Sequence, residues 1–284
     1  MKLGYYPGCS LHNSAAIYDR SLKWVLSRLG ISLAELPEWV CCGATSAHSL
    51  ESHSAFLLPA ANLLQAQKMG ADLLVACSAC YQRLKIAQDR LENSAQARSE
   101  FKSVLGEEYN GQFKILSLLE VLSDNLDKLG RLVSREMKGI KVIPYYGCLL
   151  SRIPGVGGMQ KPLAPNIMER LLELSGAELL PFPRKHDCCG ASFGLSEERL
   201  YRKLSGDILD EAKKAGADCL VACCPFCQLN LEMLGWKRKQ QDKTYRPLPV
   251  LFITQWLGLA LGAESKAMGL SSLLVEPAPA LCEN

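Results

Sequence analysis

Apolar positions recur along the chain in two alternating rhythms. KLGYY (2–6) is a short strand-like segment. Leu22, Val25, Leu26 and Leu29 then fall at i, i+3, i+4 and i+7, one face of a helix over about 14–29. A strand-like ISLAEL, a helix near 51–69, the apolar run LLVAC, a long helix near 79–105 and FKILSLL complete the first half. The second half reads KVIPYY, a helix over 166–175, AELLPF, a helix over 196–215, CLVAC, a helix over 225–236, LPVLFI and a helix over 254–262. Strands alternating with helices of this length predict an α/β fold with parallel sheets. Each half reads as a small sheet of about four strands flanked by helices.

The two halves are one text written twice. YYPGC (5–9) returns as YYGC (145–148), and Cys41, Cys42, Gly43, Ala44 return as Cys188, Cys189, Gly190, Ala191. GADLLVACSAC (70–80) returns as GADCLVACCPFC (216–227), and KILSLLEVL (114–122) loosely matches PVLFITQWL (249–257). The blocks keep their order, which predicts two pseudo-symmetric repeats, 1–138 and 139–284. The spacing is kept as well. Cys9 precedes Cys41 by 31 intervening residues, and Cys42 precedes Cys77 by 34; the second copy has 39 and 34. The eight additional residues fall in RIPGVGGMQKPLAP (152–165), whose Gly and Pro content predicts a loop.

Composition narrows the function classes. The chain has 284 residues, 48% hydrophobic and 21% charged, the balance of a soluble globular protein. Net charge is +3 with no long run of like charge, and Lys237, Arg238, Lys239 read as a solvated helix end or loop, so nothing points to nucleic acid. The opening MKLGYYPGC lacks the apolar run of a signal peptide. The longest apolar stretch, PVLFITQWLGLALGA, is too short to span a bilayer and reads as core, with a partner contact as the alternative. Thirteen cysteines without a signal peptide predict a reducing, cytoplasmic setting, where cysteine sets do metal or redox chemistry.

Adjacent cysteines make poor disulfides, because neighbouring Cα atoms lie about 3.8 Å apart, below the roughly 4.4–6.8 Å that the bond prefers. Two neighbouring thiolates can instead face one metal centre. Cys9, Cys41, Cys42, Cys77 and Cys80 each follow a predicted strand, as do Cys148, Cys188, Cys189, Cys224 and Cys227. Parallel sheets gather ligands at the carboxyl ends of their strands, so each set converges on one pocket. Gly43 and Gly190 let the backbone approach it closely. Structural zinc takes four ligands and leaves a fifth thiol over. A thioredoxin-like C-x-x-C pair leaves three cysteines idle. Iron–sulfur clusters accept thiolates from separate segments.

The pattern of Cys, 31–39 residues, CCG, 34 residues and C-x-x-C, present twice, resembles the CCG-domain family, and within it the B-type subunit of heterodisulfide reductase. The resemblance spans essentially the whole chain. It implies that each five-cysteine set holds a non-cubane 4Fe-4S cluster. It also implies a disulfide oxidoreductase activity, in which a small-molecule disulfide is cleaved to two thiols, or formed in reverse, between the two clusters. In the second set Cys223 competes with Cys224; the 34-residue gap and the C-P-F-C form favour Cys224. Cys219 reads as a buried apolar residue and Cys282 as an unligated thiol.

The polar residues say less. His186, two positions before the second cysteine pair, is a candidate proton donor, with a loop or supporting role as the plainer reading. Arg152, Arg184 and Lys185 lie near the second set and are candidates for attracting an anionic substrate, with surface solvation as the default. His12, His48 and His53 receive no role. No G-x-G-x-x-G follows a strand, so electrons must come from a partner. The resemblance implies a small ferredoxin-like iron–sulfur partner, the C-type subunit of such reductases, with their flavin-containing A-type subunit behind it. Similar chains also serve other respiratory complexes, such as succinate dehydrogenase variants, where this chain would be an electron relay or sit on the quinone side.

Overall fold

The computed structural model describes residues 1–44, 52–150, 166–194 and 196–282. His48, Arg152 with the rest of the 152–165 loop, and the side chain of Cys282 lie outside the described residues.

The first repeat contains strands β1 (Lys2–Tyr6), β2 (Ser32–Glu35), β3 (Leu73–Val75) and β4 (Ile115–Ser117), all parallel, in the spatial order β2-β1-β3-β4. The second contains β5 (Lys141–Tyr145), β6 (Glu178–Leu179), β7 (Cys219–Ala222) and β8 (Val250–Phe252), again parallel and in the equivalent order β6-β5-β7-β8. The central strands β3 and β7 are buried throughout, which is why they read as unbroken apolar runs rather than alternating ones. The predicted pair of four-stranded parallel sheets is what the chain forms.

The helices are α1 (Gly8–His12), α2 (Ala16–Arg28), α3 (Ser52–Met69), α4 (Ser78–Asn93), α5 (Ala95–Leu105), α6 (Leu118–Asp124) and α7 (Leu126–Leu132) in the first repeat. In the second they are α8 (Ile167–Glu173), α9 (Glu198–Lys214), α10 (Pro225–Gln241), α11 (Ile253–Ala260) and α12 (Pro279–Cys282).

Three details differ from the sequence reading. The long helix expected over 79–105 is two helices. Ser94 is extended (φ −129°, ψ 116°), and its hydroxyl caps α5 by accepting from Ala97 N at 3.2 Å. The Arg98 guanidinium bridges back to the carbonyls of Leu91 and Glu92, which the end of α4 leaves open. Helix α10 runs five residues past its expected end, through Lys237–Lys239, and Arg238 pairs with Asp210 on α9. Finally, α6 starts inside the segment read as strand. Ser117 accepts from Glu120 N while Glu120 accepts from Ser117 N, a reciprocal cap that stops β4 and opens the helix.

The apolar stretch near the end of the sequence is core. Every residue of α11 is buried. The helix lies on α2 of the first repeat, so Leu22, Val25 and Leu26 share one apolar cluster with Ile253, Trp256 and Leu257. Among the described residues, no helix is long and apolar enough to cross a membrane.

Candidate metal centres at the strand ends

Equivalent hydrogen bonds build the two cysteine sets. In the first, β1 ends at Tyr6, and the chain turns through Gly8 in the left-handed region (φ +64°) to present Cys9. The Tyr6 hydroxyl reaches over and donates to the carbonyl of Val40 at 2.8 Å, the residue before Cys41. In the second, Tyr145 ends β5, Gly147 turns at φ +69°, and the Tyr145 hydroxyl donates to the Asp187 carbonyl at 2.6 Å, the residue before Cys188. Past each pair, Gly43 N faces Cys41 Sγ at 3.5 Å and Gly190 N faces Cys188 Sγ at 3.3 Å.

The glycines before Cys9 and Cys148 leave space that a thiol fills. A Cβ on Gly8 would stand 3.2 Å from Cys80 Sγ, and one on Gly147 only 2.7 Å from Cys227 Sγ. Side chains further out hold the cysteine pairs. Fully buried Asn62, on α3, accepts from Val40 N at 2.9 Å and donates to Val40 O at 3.0 Å. In the second repeat Ser205 Oγ and Asn230 Nδ2 both donate to the carbonyl of Cys189, at 2.7 and 3.3 Å.

Strand register fixes the correspondence of the remaining thiols. Tyr6 pairs with Val75, and Tyr145 pairs with Ala222. Two residues past each partner stand Cys77 and Cys224, both extended and both at the N-cap of the helix that carries the next cysteine. Cys223 occupies the place of Ala76, and its thiol turns toward the Tyr146 carbonyl at 3.6 Å. Cys219 is wholly buried in β7.

The thiols form an almost continuous array. Cys42 Sγ lies 3.2 Å from Cys80 Sγ. Cys41 adjoins Cys42, Cys80 adjoins Cys77, and Cys77 meets Cys224 across the boundary between repeats; Cys224 then adjoins Cys227, and Cys227 adjoins Cys189. Cys148 adjoins Cys188. Such neighbours cannot all ionise together. Hydrogen bonds from Cys41 and Cys80 pull the Cys42 thiol down, and those from Cys227 and Cys77 pull Cys224 down. Cys80, beside Cys42 and Cys77, and Cys227, beside Cys189 and Cys224, are pushed up.

An array of crowded, mostly buried sulfurs fits a polycationic metal–sulfide core, which would let them be thiolates together. Among the described residues, no group of three or more His, Cys, Asp or Glu side chains closes on the single point one metal ion would occupy. The second set lines a cleft of about 570 Å³, its open mouth included. The first repeat contributes Ala44, Ser78 and Ala79 to that cleft, and the second adds Tyr146, Leu149 and Phe226. Cys9 and Cys41 of the first set are exposed.

The remaining candidates are spoken for by other contacts. His186 stacks on the Tyr146 ring (centroids 4.9 Å apart, 29° between planes), one layer behind the cleft wall that Tyr146 forms. Arg184 pairs with Asp187 and Glu211, and Lys185 with Glu169 at 2.7 Å. His12 pairs with Glu35 and His53 with Glu100, both on the surface. The sequence reading missed Tyr6, Tyr145, Asn62 and the glycines before Cys9 and Cys148. The last were visible in the repeated Gly-Cys of YYPGC and YYGC; Asn62 carried no local signal.

Fold and site together define a duplicated α/β protein with five cysteines gathered at the strand ends of each repeat. The chain belongs to the CCG cysteine-rich domain family, which matches residues 3–85 and 142–232. It is 30% identical over 276 residues to the 8-methylmenaquinol:fumarate reductase membrane anchor subunit of Wolinella succinogenes, covering 97% of each chain. It is 29% identical over 288 residues to the B-type subunit of the ferredoxin/F420H2-dependent CoB-CoM heterodisulfide reductase of Methanosarcina acetivorans, covering 97% of this chain and 94% of that one. A hypothetical protein from Helicobacter pylori, known from its crystal structure, shares the fold with a TM-score of 0.77 at 17% identity. That match covers 98% of this chain and 52% of the other, so this chain spans about half the length of that relative.

Proposed function

We propose that this chain is an iron–sulfur subunit of a heterodisulfide reductase-like complex, divided at 138/139 into two repeats that each hold one 4Fe-4S cluster of the non-cubane kind. Cys9, Cys41, Cys42, Cys77 and Cys80 would hold one, and Cys148, Cys188, Cys189, Cys224 and Cys227 the other. The observation that carries this is the matched placing of the two cysteine sets at the strand ends, with the second set lining a cleft that Ala44, Ser78 and Ala79 of the first repeat help to close. The reaction is RS–SR′ + 2 electrons + 2 protons → RSH + R′SH: one S–S bond breaks and two S–H bonds form. The clusters, when bound, would supply electrons one at a time at two neighbouring centres.

The protein's own part is to aim the thiols and shape the cleft. Tyr6, Tyr145 and Asn62 fix the carbonyls that precede or frame the cysteine pairs. Ala44, Ser78 and Ala79 close the second set from the opposite repeat, and their small side chains leave the cleft open to a substrate. Electrons would arrive from a ferredoxin-like C-type partner, with a flavin-containing A-type partner as the first acceptor. Relatives in heterodisulfide reductases of two Methanosarcina species support this reading.

A second reading is favoured by the Wolinella relative, whose complex oxidises a menaquinol. There the same two centres would relay electrons on the quinone side. One experiment separates the two. The chain is purified anaerobically, iron and acid-labile sulfide are counted, and EPR spectra are taken with small thiols and, separately, with a quinol analogue. About eight irons and a signal altered by thiol support disulfide chemistry. The same iron with a response to quinol alone supports the relay, and zinc in place of iron overturns both.

A further inference from the structure

Helix α2 of the first repeat reaches the residue just before Cys224 of the second set. Tyr18 is fully buried, and its hydroxyl donates to the carbonyl of Cys223 at 3.0 Å, across 205 residues of sequence. Its ring lies flat on Phe252 of β8, centroids 4.2 Å apart and planes 4° from parallel. One turn along the helix, Ser21 and Thr254 share a buried hydrogen bond of 2.6 Å.

Among the described residues the repeat has no second copy of this contact. Equivalent backbone bonds, Gly30 N to Ser27 O and Gly176 N to Glu173 O, set Leu26 against Leu172, so Ile167, the first residue of α8, stands where Ser21 does, and the place equivalent to Tyr18 falls before the described residues that begin at 166. Register likewise sets Phe252 against Ser117, since Ala222 pairs with the one as Val75 pairs with the other. Ser117 has no ring to stack on, and among the described residues no side chain donates to the carbonyl of Ala76, the counterpart of Cys223. The first set therefore lacks the brace that the second has.

We propose that Tyr18 is a positioning residue for the second cysteine set: by fixing the Cys223 carbonyl from the opposite repeat, it sets the direction in which Cys224 presents its thiol and makes the two centres unequal. Cys224 is the N-cap of α10, so a peptide held just before it fixes the entry of the chain into the helix that also carries Cys227.

Two equivalent backbone amides report on the two helix starts. Gln228 N donates to Cys224 O at 3.0 Å, and Tyr81 N donates to Cys77 O at 2.9 Å. In Tyr18→Phe, which keeps the ring stack and removes the hydroxyl, amide hydrogen exchange at Gln228 should quicken on the order of tenfold. Exchange at Tyr81 should stay as it is. Equal acceleration at both amides, or none at Gln228, overturns the proposal. If Tyr18→Phe does not fold, Phe252→Leu loosens Tyr18 by removing its stacking partner; a smaller effect confined to Gln228 is expected, and an effect at both or neither overturns the proposal.

A second readout rests on the reading that each set holds a cluster. In the loaded chain, the EPR signal lost in Cys148→Ser should change its midpoint potential in Tyr18→Phe, while the signal lost in Cys9→Ser should not. A shift of both signals or of neither counts against Tyr18. A chain that binds no iron removes the cluster reading, and the Gln228 and Tyr81 amides still decide the role of Tyr18.

Discussion

Asn62 and Val40 hydrogen-bond in both directions, the amide of one side chain closing a ring on the backbone of the other residue at 2.9 and 3.0 Å. A third bond, from Asn62 Nδ2 to Leu58 O at 3.0 Å, ties the same side chain to its own helix. Val40 immediately precedes the first cysteine pair, so a wholly buried amide on α3 sets where Cys41 and Cys42 begin.

Asn62→Ala would leave the Val40 N–H without a partner, while the Val40 carbonyl keeps only the bond from the Tyr6 hydroxyl. A buried polar group left unpaired costs about 1–3 kcal/mol. We expect a loss of about 2 kcal/mol in urea unfolding, together with loss of about half the bound iron. Retention of full iron would show that the pair is held by other contacts.

Gly8 and Gly147 test how closely backbone must approach sulfur. Alanine in the left-handed region costs about 1–2 kcal/mol on conformational grounds alone. The added Cβ would stand 3.2 Å from Cys80 Sγ at position 8 but 2.7 Å from Cys227 Sγ at position 147. Gly147→Ala should therefore be the more damaging, and should empty the second centre while Gly8→Ala leaves it filled. Iron counts on the two variants check this.

Cys223 and Cys224 are separable by substitution. Register places Cys224 opposite Cys77, whereas the Cys223 thiol points to the Tyr146 carbonyl. Cys223→Ser should keep full iron; Cys224→Ser should lose about half. The reverse result would move the ligand by one residue and sink the register assignment.

Glu232 gives stability a pH dependence. It is buried, accepts from Gln228 Nε2 at 2.9 Å and from Val275 N at 3.2 Å, and burial outweighs those hydrogen bonds to hold its carboxyl above the usual range. The folded chain thus keeps a proton that the unfolded chain releases near pH about 4.3. Stability should be greatest below that value and fall as pH rises through the higher folded pKa, then level off. Glu232→Gln should remove this slope. Urea midpoints across the acid range measure it, and identical slopes in both proteins would assign the effect elsewhere.

The repeats, the parallel sheets and the ten cysteines could be read from the letters because each leaves a local mark. Buried central strands are apolar runs, and a duplicated set of cysteines keeps its gaps. What stayed hidden depends on distant pairs. Tyr18 meets Cys223 from 205 residues away and Ser21 meets Thr254 from 233, and neither has a periodicity to betray it. The break at Ser94 was obscured for another reason. Glu92 through Gln96 suit a helix well enough, and only the capping of Ala97 by Ser94 makes two helices of one.

The packing of α11 on α2 also bears on the order in which the molecule is made. The apolar face of α2 is translated well ahead of its cover, 253–260, since Ser21 and its partner Thr254 stand 233 residues apart. Until then Tyr18, Leu22 and Val25 face water or a temporary cover. A ribosome-bound chain that stops short of α11 should bind hydrophobic dyes and chaperones strongly, and the first repeat should reach its final rigidity only after the second has been translated.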